Sequence, residues 1–164
     1  MKILDDRQIK QKIKRLAIEI LEHNYGEDEL ILAGINNNGM EFANLILQQL
    51  LPLTHLEVTL TRLSLNPADP LSAEVQIEMP LEQLQGKAII IIDDVANTGR
   101  TIFYACRPIM NVLPRKLEVA VLVDRKHKSF PVKVDYVGLS LATTLKEHID
   151  VQIRETEAFA VYLN

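Results

Sequence analysis

Two adjacent carboxylates and a threonine-glycine loop share one short stretch of this chain, Asp93-Asp94-Val95-Ala96-Asn97-Thr98-Gly99-Arg100-Thr101. Carboxylates accept hydrogen bonds from neighbouring hydroxyls or hold a magnesium ion beside phosphates, but they cannot bind a phosphate themselves. The backbone N–H groups of a loop that opens a helix can do so, since they are unpaired and lie at the positive end of the helix dipole. Acids for a polyol beside a cradle for a phosphate describe a sugar-phosphate site. Either dipeptide alone is ordinary turn chemistry. The ordered set is the specific signal.

Such a loop needs a strand before it and a helix after it. Ile89-Ile90-Ile91-Ile92 reads as a buried strand of a parallel sheet that ends where the acids begin. Ile102, Ala105, Cys106, Ile109, Val112 and Leu113 then follow helical spacing. In open α/β sheets ligands sit at the carboxyl ends of the strands, where this loop would be. A second candidate of the same kind is Gly34-Ile35-Asn36-Asn37-Asn38-Gly39, a turn between the strand Leu30 to Ala33 and a helix marked by Phe42, Leu45, Ile46 and Leu50. Its glycines allow close backbone approach or positive φ.

The rest of the chain alternates in the same way. Ile9, Ile13, Leu16, Ala17, Ile20 and Leu21 predict an amphipathic helix from about Asp6 to Asn24, capped by Asp5 or Asp6 and ended by Tyr25-Gly26. Leu56 to Leu63, Leu117 to Asp124 and Val134 to Leu139 read as strands, whereas Val151 to Ile153 and Phe159 to Leu163 read as edge strands or a closing tail. Ser64 to Pro80 carries three prolines and few strong patterns, which suggests a mobile loop or β-flap. Alternating β and α predicts one α/β domain over residues 1–164, with a doubly wound, mainly parallel twisted sheet flanked by helices.

Composition narrows the class. The 164 residues are 48% hydrophobic, with no apolar run near the ~20 residues of a membrane helix. A soluble, cytoplasmic protein is expected, because Asp5, Asp6 and Arg7 interrupt any signal-like start and the one cysteine, Cys106, permits no internal disulfide. The net charge of −4 argues against broad affinity for nucleic acid. His23, His55 and His148 lack metal-ligand spacing.

Asp93 to Thr101 resembles the phosphoribosyl-pyrophosphate signature of type I phosphoribosyltransferases. Ala120 to His127, Phe130-Pro131-Val132 and Asp135-Tyr136-Val137-Gly138 are similar to one branch, the bifunctional pyrimidine-operon attenuation regulators/uracil phosphoribosyltransferases. Ile3-Leu4-Asp5, Leu30 to Gly39 and the order of elements resemble it too. The likeness spans nearly the whole chain, strongest from Ala88 to Gly138 and loosest from Arg62 to Leu84.

The resemblance implies transfer of ribose 5-phosphate from phosphoribosyl pyrophosphate to a nucleobase, uracil first among them, in nucleotide salvage. It implies Asp93 and Asp94 at the ribose hydroxyls and at Mg2+, directly or through water. Ala96, Asn97, Thr98, Gly99, Arg100 and Thr101 would hold the 5′-phosphate; Asn36, Asn37, Asn38, Gly39 and Arg62 would line the pyrophosphate side. Asp124, Arg125 and Val137 would meet the base, with Tyr136 either packing on it or lying in the core. The family's pyrophosphate loop usually carries Lys or Arg, and here Asn36-Asn37-Asn38 supplies donors without charge. Asn97 stands where purine-using relatives have an Asp, and it cannot act as a general base.

Two alternatives remain open: a regulator that senses a nucleoside monophosphate or phosphoribosyl pyrophosphate through RNA, which the charge balance disfavours, and a weakly active, enzyme-derived binding protein. The family also implies a homodimer or higher homo-oligomer.

Overall fold

The computed structural model describes residues 1–144 and 146–164. Its centre is a six-stranded sheet in the order β4-β3-β2-β5-β6-β7, formed by β2 (Glu29–Ile35), β3 (Glu57–Ser64), β4 (Gln76–Ile77), β5 (Ala88–Ala96), β6 (Lys116–Arg125) and β7 (Tyr136–Leu141). All neighbours pair in parallel except β3 with β4. Strand alternation feeds two cores. Leu30, Leu32, Ile90 and Ile92 face one core, whereas Ile31, Ala33, Ile89 and Ile91 face the other. A strand buried on both faces must be apolar at every position, which is why Ile89 to Ile92 carries no polar residue.

Helices α1 (Asp6–His23) and α2 (Asn36–Leu50) fill the first core, and α3 (Arg100–Ala105) covers the second. The sheet is doubly wound, as its pattern predicts. Asp5 is the cap of α1: its carboxylate accepts from Gln8 N at 2.9 Å while Gln8 Oε1 accepts from Asp5 N at 2.9 Å. Ile9, Ile13, Leu16, Ala17 and Ile20 form the buried stripe of this helix.

Chain order around the sheet fixes where a ligand can enter. From β2 the chain moves outward through α2 to β3, whereas from β5 it moves the opposite way to β6 and β7. The gap between the carboxyl ends of β2 and β5 is therefore the topological switch point, the place where such sheets bind ligands. Pairing of β2 with β5 ends at Gly34 and Ile92, but β5 continues along β6 as far as Ala96 opposite Asp124. Strand β5 thus outruns β2, and its last residues border an open crevice.

Several elements differ from the sequence expectation. Strand β5 runs through Asp93 and Asp94 rather than stopping at Ile92, since β6 continues to pair with it. Gly34 and Ile35 belong to β2 and Asn36 already starts α2, so no free turn separates them. Helix α3 has six residues; Ile109–Asn111 form a 3-10 turn, and Leu113 is exposed. The Ser64 to Pro80 segment is partly ordered by β4, which pairs Leu63 with Ile77 and Ser64 with Gln76, and Val75 is buried. Strands β8 (Ile149–Gln152) and β9 (Ala160–Leu163) join β1 (Lys2–Leu4) in a separate antiparallel sheet ordered β1-β9-β8. Among the described residues, no helix is long and apolar enough to cross a membrane.

Candidate active site

The loop after β5 forms the first part of the site. Ala96, Asn97, Thr98, Gly99, Arg100, Thr101 and Ile102 line a cavity of about 550 Å³, closed by Pro67 from the flap and by Ser129 and Phe130. Gly99 is the N-cap of α3 at φ 88°, a conformation that a β-carbon would strain. Its carbonyl accepts from Phe103 N at 2.9 Å, so the first N–H groups of the helix point into the loop without helical partners. The segment after β6 holds the loop from behind: Ser129 N and Phe130 N donate to Thr98 O at 3.0 and 3.2 Å. Arg100 turns its guanidinium away from the loop and donates to Pro67 O at 2.7 Å, tying loop to flap.

Beside it lies a second cavity of about 480 Å³, lined by Asn36, Asn37, Asn38, Asp93, Asp94, Asn97 and Thr101 together with His148, Asp150 and Arg154. The two acids differ in setting. Asp93 is only 9% exposed and accepts from Asp94 N at 2.9 Å. Burial, reinforced by the neighbouring Asp94 charge, pushes the Asp93 carboxyl well above the usual carboxylate range. Asp94 is half-buried, accepting from Val95 N at 2.9 Å and from Asn38 Nδ2 at 3.1 Å.

That last bond depends on Gly39. A β-carbon there would lie 2.6 Å from Ile92 O, so only glycine lets the start of α2 press against β5 and bring Asn38 to Asp94. Asn36, at φ 52°, grips the base of the flap in both directions, donating to Leu65 O at 3.0 Å and accepting from Leu65 N at 3.1 Å. Arg62 donates to Asn37 Oδ1 at 2.7 Å, and its Nε lies 3.6 Å from Glu78 Oε1. The structure therefore brings Asn37, Asn38, Asp93 and Asp94 to one crevice and uses Asn36 mainly to join helix and flap.

A third, smaller cavity of about 150 Å³ adjoins the Asn97–Thr101 loop, lined by Asn97, Thr98, Arg125, Lys126, His127 and residues 141–144. Arg125 donates to Glu147 O, yet its Nε and Thr143 Oγ1 are buried without a hydrogen-bond partner among the described residues. Asp124 is held by Lys128 at 2.6 Å, near the cavity but engaged. Val137 pairs with Val121 near the start of β7 and is absent from the cavity wall; Leu141, the last residue of that strand, and Ala142 to Thr144 beyond it stand there instead. Tyr136 is a core residue, donating to Glu118 Oε1 at 2.9 Å and packing edge-on against His23. Thr143, His148 and Arg154 carry no local motif, and only the fold of the second sheet brings the last two to the crevice.

A crevice with adjoining acids at a switch point, next to a glycine-capped loop, matches more than geometry. The sequence profile of the phosphoribosyl transferase domain covers residues 1–156. The chain belongs to the phosphoribosyl transferase family. Among curated relatives, the bifunctional protein PyrR of Streptococcus thermophilus is 36% identical over 157 residues, covering 94% of this chain and 91% of the relative. The PyrR of Brevibacillus brevis is 33% identical over 167 residues, covering 97% and 93%.

Solved structures agree on the family fold at low identity. The Trypanosoma cruzi hypoxanthine phosphoribosyltransferase in complex with the product IMP superposes with a TM-score of 0.77 at 19% identity, covering 98% of this chain and 93% of the other. A hypoxanthine-guanine phosphoribosyltransferase from Bacillus anthracis gives 0.74 at 18% identity, covering 97% and 95%.

Proposed function

We propose that this phosphoribosyl transferase moves ribose 5-phosphate from phosphoribosyl pyrophosphate to a nucleobase, with uracil as the base and nucleotide salvage as the setting. The observation that carries the reading is the extension of β5 past β2, which sets Asp93 and Asp94 at the open switch point and the Asn97–Thr101 loop directly after them. The PyrR relatives favour a pyrimidine over the purines named in the solved structures.

In this mechanism the 5′-phosphate sits on the backbone N–H groups of the Thr98–Thr101 turn and the hydroxyls of Thr98 and Thr101. Asp94, half-buried and braced by Asn38, accepts from the ribose hydroxyls together with Asp93. Both carboxylates lie close to the positive charge that develops on the sugar as pyrophosphate departs, and their charge favours that state. Asn97 orients without taking a proton, so the base must lose its proton elsewhere or to solvent. Arg125 Nε and Thr143 Oγ1, buried and without hydrogen-bond partners among the described residues, are suited to a base carbonyl. The flap from Ser64 to Pro80, tied to the phosphate loop through Arg100, excludes water.

The site also suits magnesium. Adjoining carboxylates facing an open crevice are the protein share of a site in which substrate phosphates and waters complete the coordination. When bound at Asp93 and Asp94, the ion would neutralise charge on the leaving pyrophosphate. A homo-oligomer in the cytoplasm, built from one domain per chain, completes the proposal.

A second reading rests on one observation: Asn36, Asn37 and Asn38 place no charge on the pyrophosphate side, which fits a binding protein with little turnover. Pyrophosphate release from magnesium phosphoribosyl pyrophosphate, measured with uracil, orotate, hypoxanthine, guanine, xanthine and adenine, separates the two. Release with uracil that is lost in the Asp93→Asn/Asp94→Asn double variant is the expected result. Ligand binding with no release for any base would refute transfer and favour the second reading.

A further inference from the structure

A pyrophosphate leaving group carries several negative charges, and it departs beside Asp93 and Asp94. Something cationic must face it for binding to be tight. The Asn36 to Asn38 segment offers neutral amides only. Arg62 reaches the same side, but its guanidinium is already bonded to Asn37 and lies beside Glu78.

Arg154 meets the need from another part of the fold. It follows β8 in the second sheet and lines the central cavity with Asn36, Asn37, Asn38, Asp93 and Asp94. It also lines the adjoining cavity of about 430 Å³ that contains Asn37 and Arg62. It thus stands where the two spaces meet, over the uncharged start of α2. Its backbone is fixed: Val151 and Ile153 are buried in the core, and Glu155 turns the chain away at φ 52°. Its side chain is exposed and makes no hydrogen bond or ion pair with the described residues, so the guanidinium is free to turn onto a ligand. A planar fork of N–H donors matches phosphate oxygens two at a time, which a lysine cannot do.

We propose that Arg154 is the pyrophosphate-binding cation of this chain, replacing from the second sheet the basic residues missing from the β2–α2 junction. This rests on the transferase reading above. It explains how a crevice with three asparagines at that junction can still hold a polyanion.

Titration calorimetry in magnesium-containing buffer tests it with three probes: phosphoribosyl pyrophosphate, inorganic pyrophosphate and ribose 5-phosphate. Wild type, Arg154→Gln, Arg154→Lys and the Arg154→Gln/Asn37→Lys double variant are compared. For Arg154→Gln, binding of the two pyrophosphate-bearing probes should weaken about 10- to 100-fold, the scale of losing a charge-assisted hydrogen-bonded pair. Ribose 5-phosphate should change less than about twofold. Arg154→Lys should recover part of the loss, and Asn37→Lys should restore binding by returning a cation to the other wall.

Equal weakening of all three probes, or no weakening of pyrophosphate, would overturn the role of Arg154. Failure of the wild type to bind phosphoribosyl pyrophosphate or ribose 5-phosphate would overturn the transferase reading itself, and the proposal with it. Unchanged thermal unfolding separates a lost ligand contact from a lost fold, as expected for an exposed side chain.

Discussion

Replacing Asp93 by Asn should make the ligand-free protein more stable while it destroys activity. Asp93 is 9% exposed, its carboxylate accepts from Asp94 N, and a second carboxylate follows it in the chain. Burial and that neighbour hold its proton more tightly in the fold than in the unfolded chain. The resulting stability is fully present below the ordinary aspartate value of about 3.9 and is lost as pH rises through the raised native value. At pH 8 an aspartate at this buried position therefore costs stability relative to low pH. Asparagine has the same shape, keeps an oxygen for Asp94 N and carries no charge. Relieving an incompletely satisfied buried group is worth roughly 1–3 kcal/mol. At this chain length each kcal/mol moves the melting temperature by roughly 2–4 °C, so a rise on the order of 5 °C is expected at pH 8. Thermal unfolding of both proteins without magnesium, from pH 4 to pH 8, is the assay. The gain should shrink toward pH 4, where both side chains are neutral. A variant no more stable at pH 8, or a gain independent of pH, would refute the argument that a buried charge is held there for function at a cost to the fold.

Further changes test the supports of the crevice. Gly39→Ala places a β-carbon 2.6 Å from Ile92 O and should cost about 1–3 kcal/mol in urea unfolding, with weakened ligand binding as α2 retreats from β5. Arg100→Met removes the bond to Pro67 O and should speed limited proteolysis within Asn66 to Leu71; an unchanged cleavage rate would show that the contact does not hold the flap. Asp5→Ala removes the capping box of α1 and should lower stability by about 1 kcal/mol without altering ligand affinity, read from the urea midpoint and calorimetry.

The sequence signals that proved readable were those with a local cause. Ile89 to Ile92 is apolar because two cores need it, and α1 is amphipathic because one face is buried and the other is not. The errors all had tertiary causes. Acids normally disfavour a strand, yet β6 carries β5 through Asp93 and Asp94 by pairing with it. Gly34 and Gly39 suggest a loose turn, but each is glycine because another backbone lies within 3 Å of where a β-carbon would be. Three residues of β1 are too few to show a period, so the second sheet stayed hidden, and with it the placement of Arg154. That residue sits in a charged stretch, Arg154-Glu155-Thr156-Glu157, which has no local mark of function.

The two halves of the crevice are built with different degrees of independence. The half proposed to hold the phosphate is built on one continuous segment, Ala96 to Ile102, fixed by two backbone bonds from the segment that follows β6. The half proposed to hold pyrophosphate is assembled from the β2–α2 junction, the flap base and the second sheet, which meet through Asn36 with Leu65, Arg62 with Asn37, and the cavity wall at Arg154. A site assembled from three elements tolerates change in one of them if another can supply the same charge, because the ligand reads charge and distance rather than chain position. If Arg154 is the pyrophosphate cation proposed above, a junction without basic residues is compatible with transfer while the second sheet keeps its guanidinium over the crevice. The same logic makes the proposed phosphate half intolerant, since a β-carbon on Gly99 at φ 88° would strain the turn and crowd Val132 at 3.2 Å, and its row of N–H groups comes from that one segment.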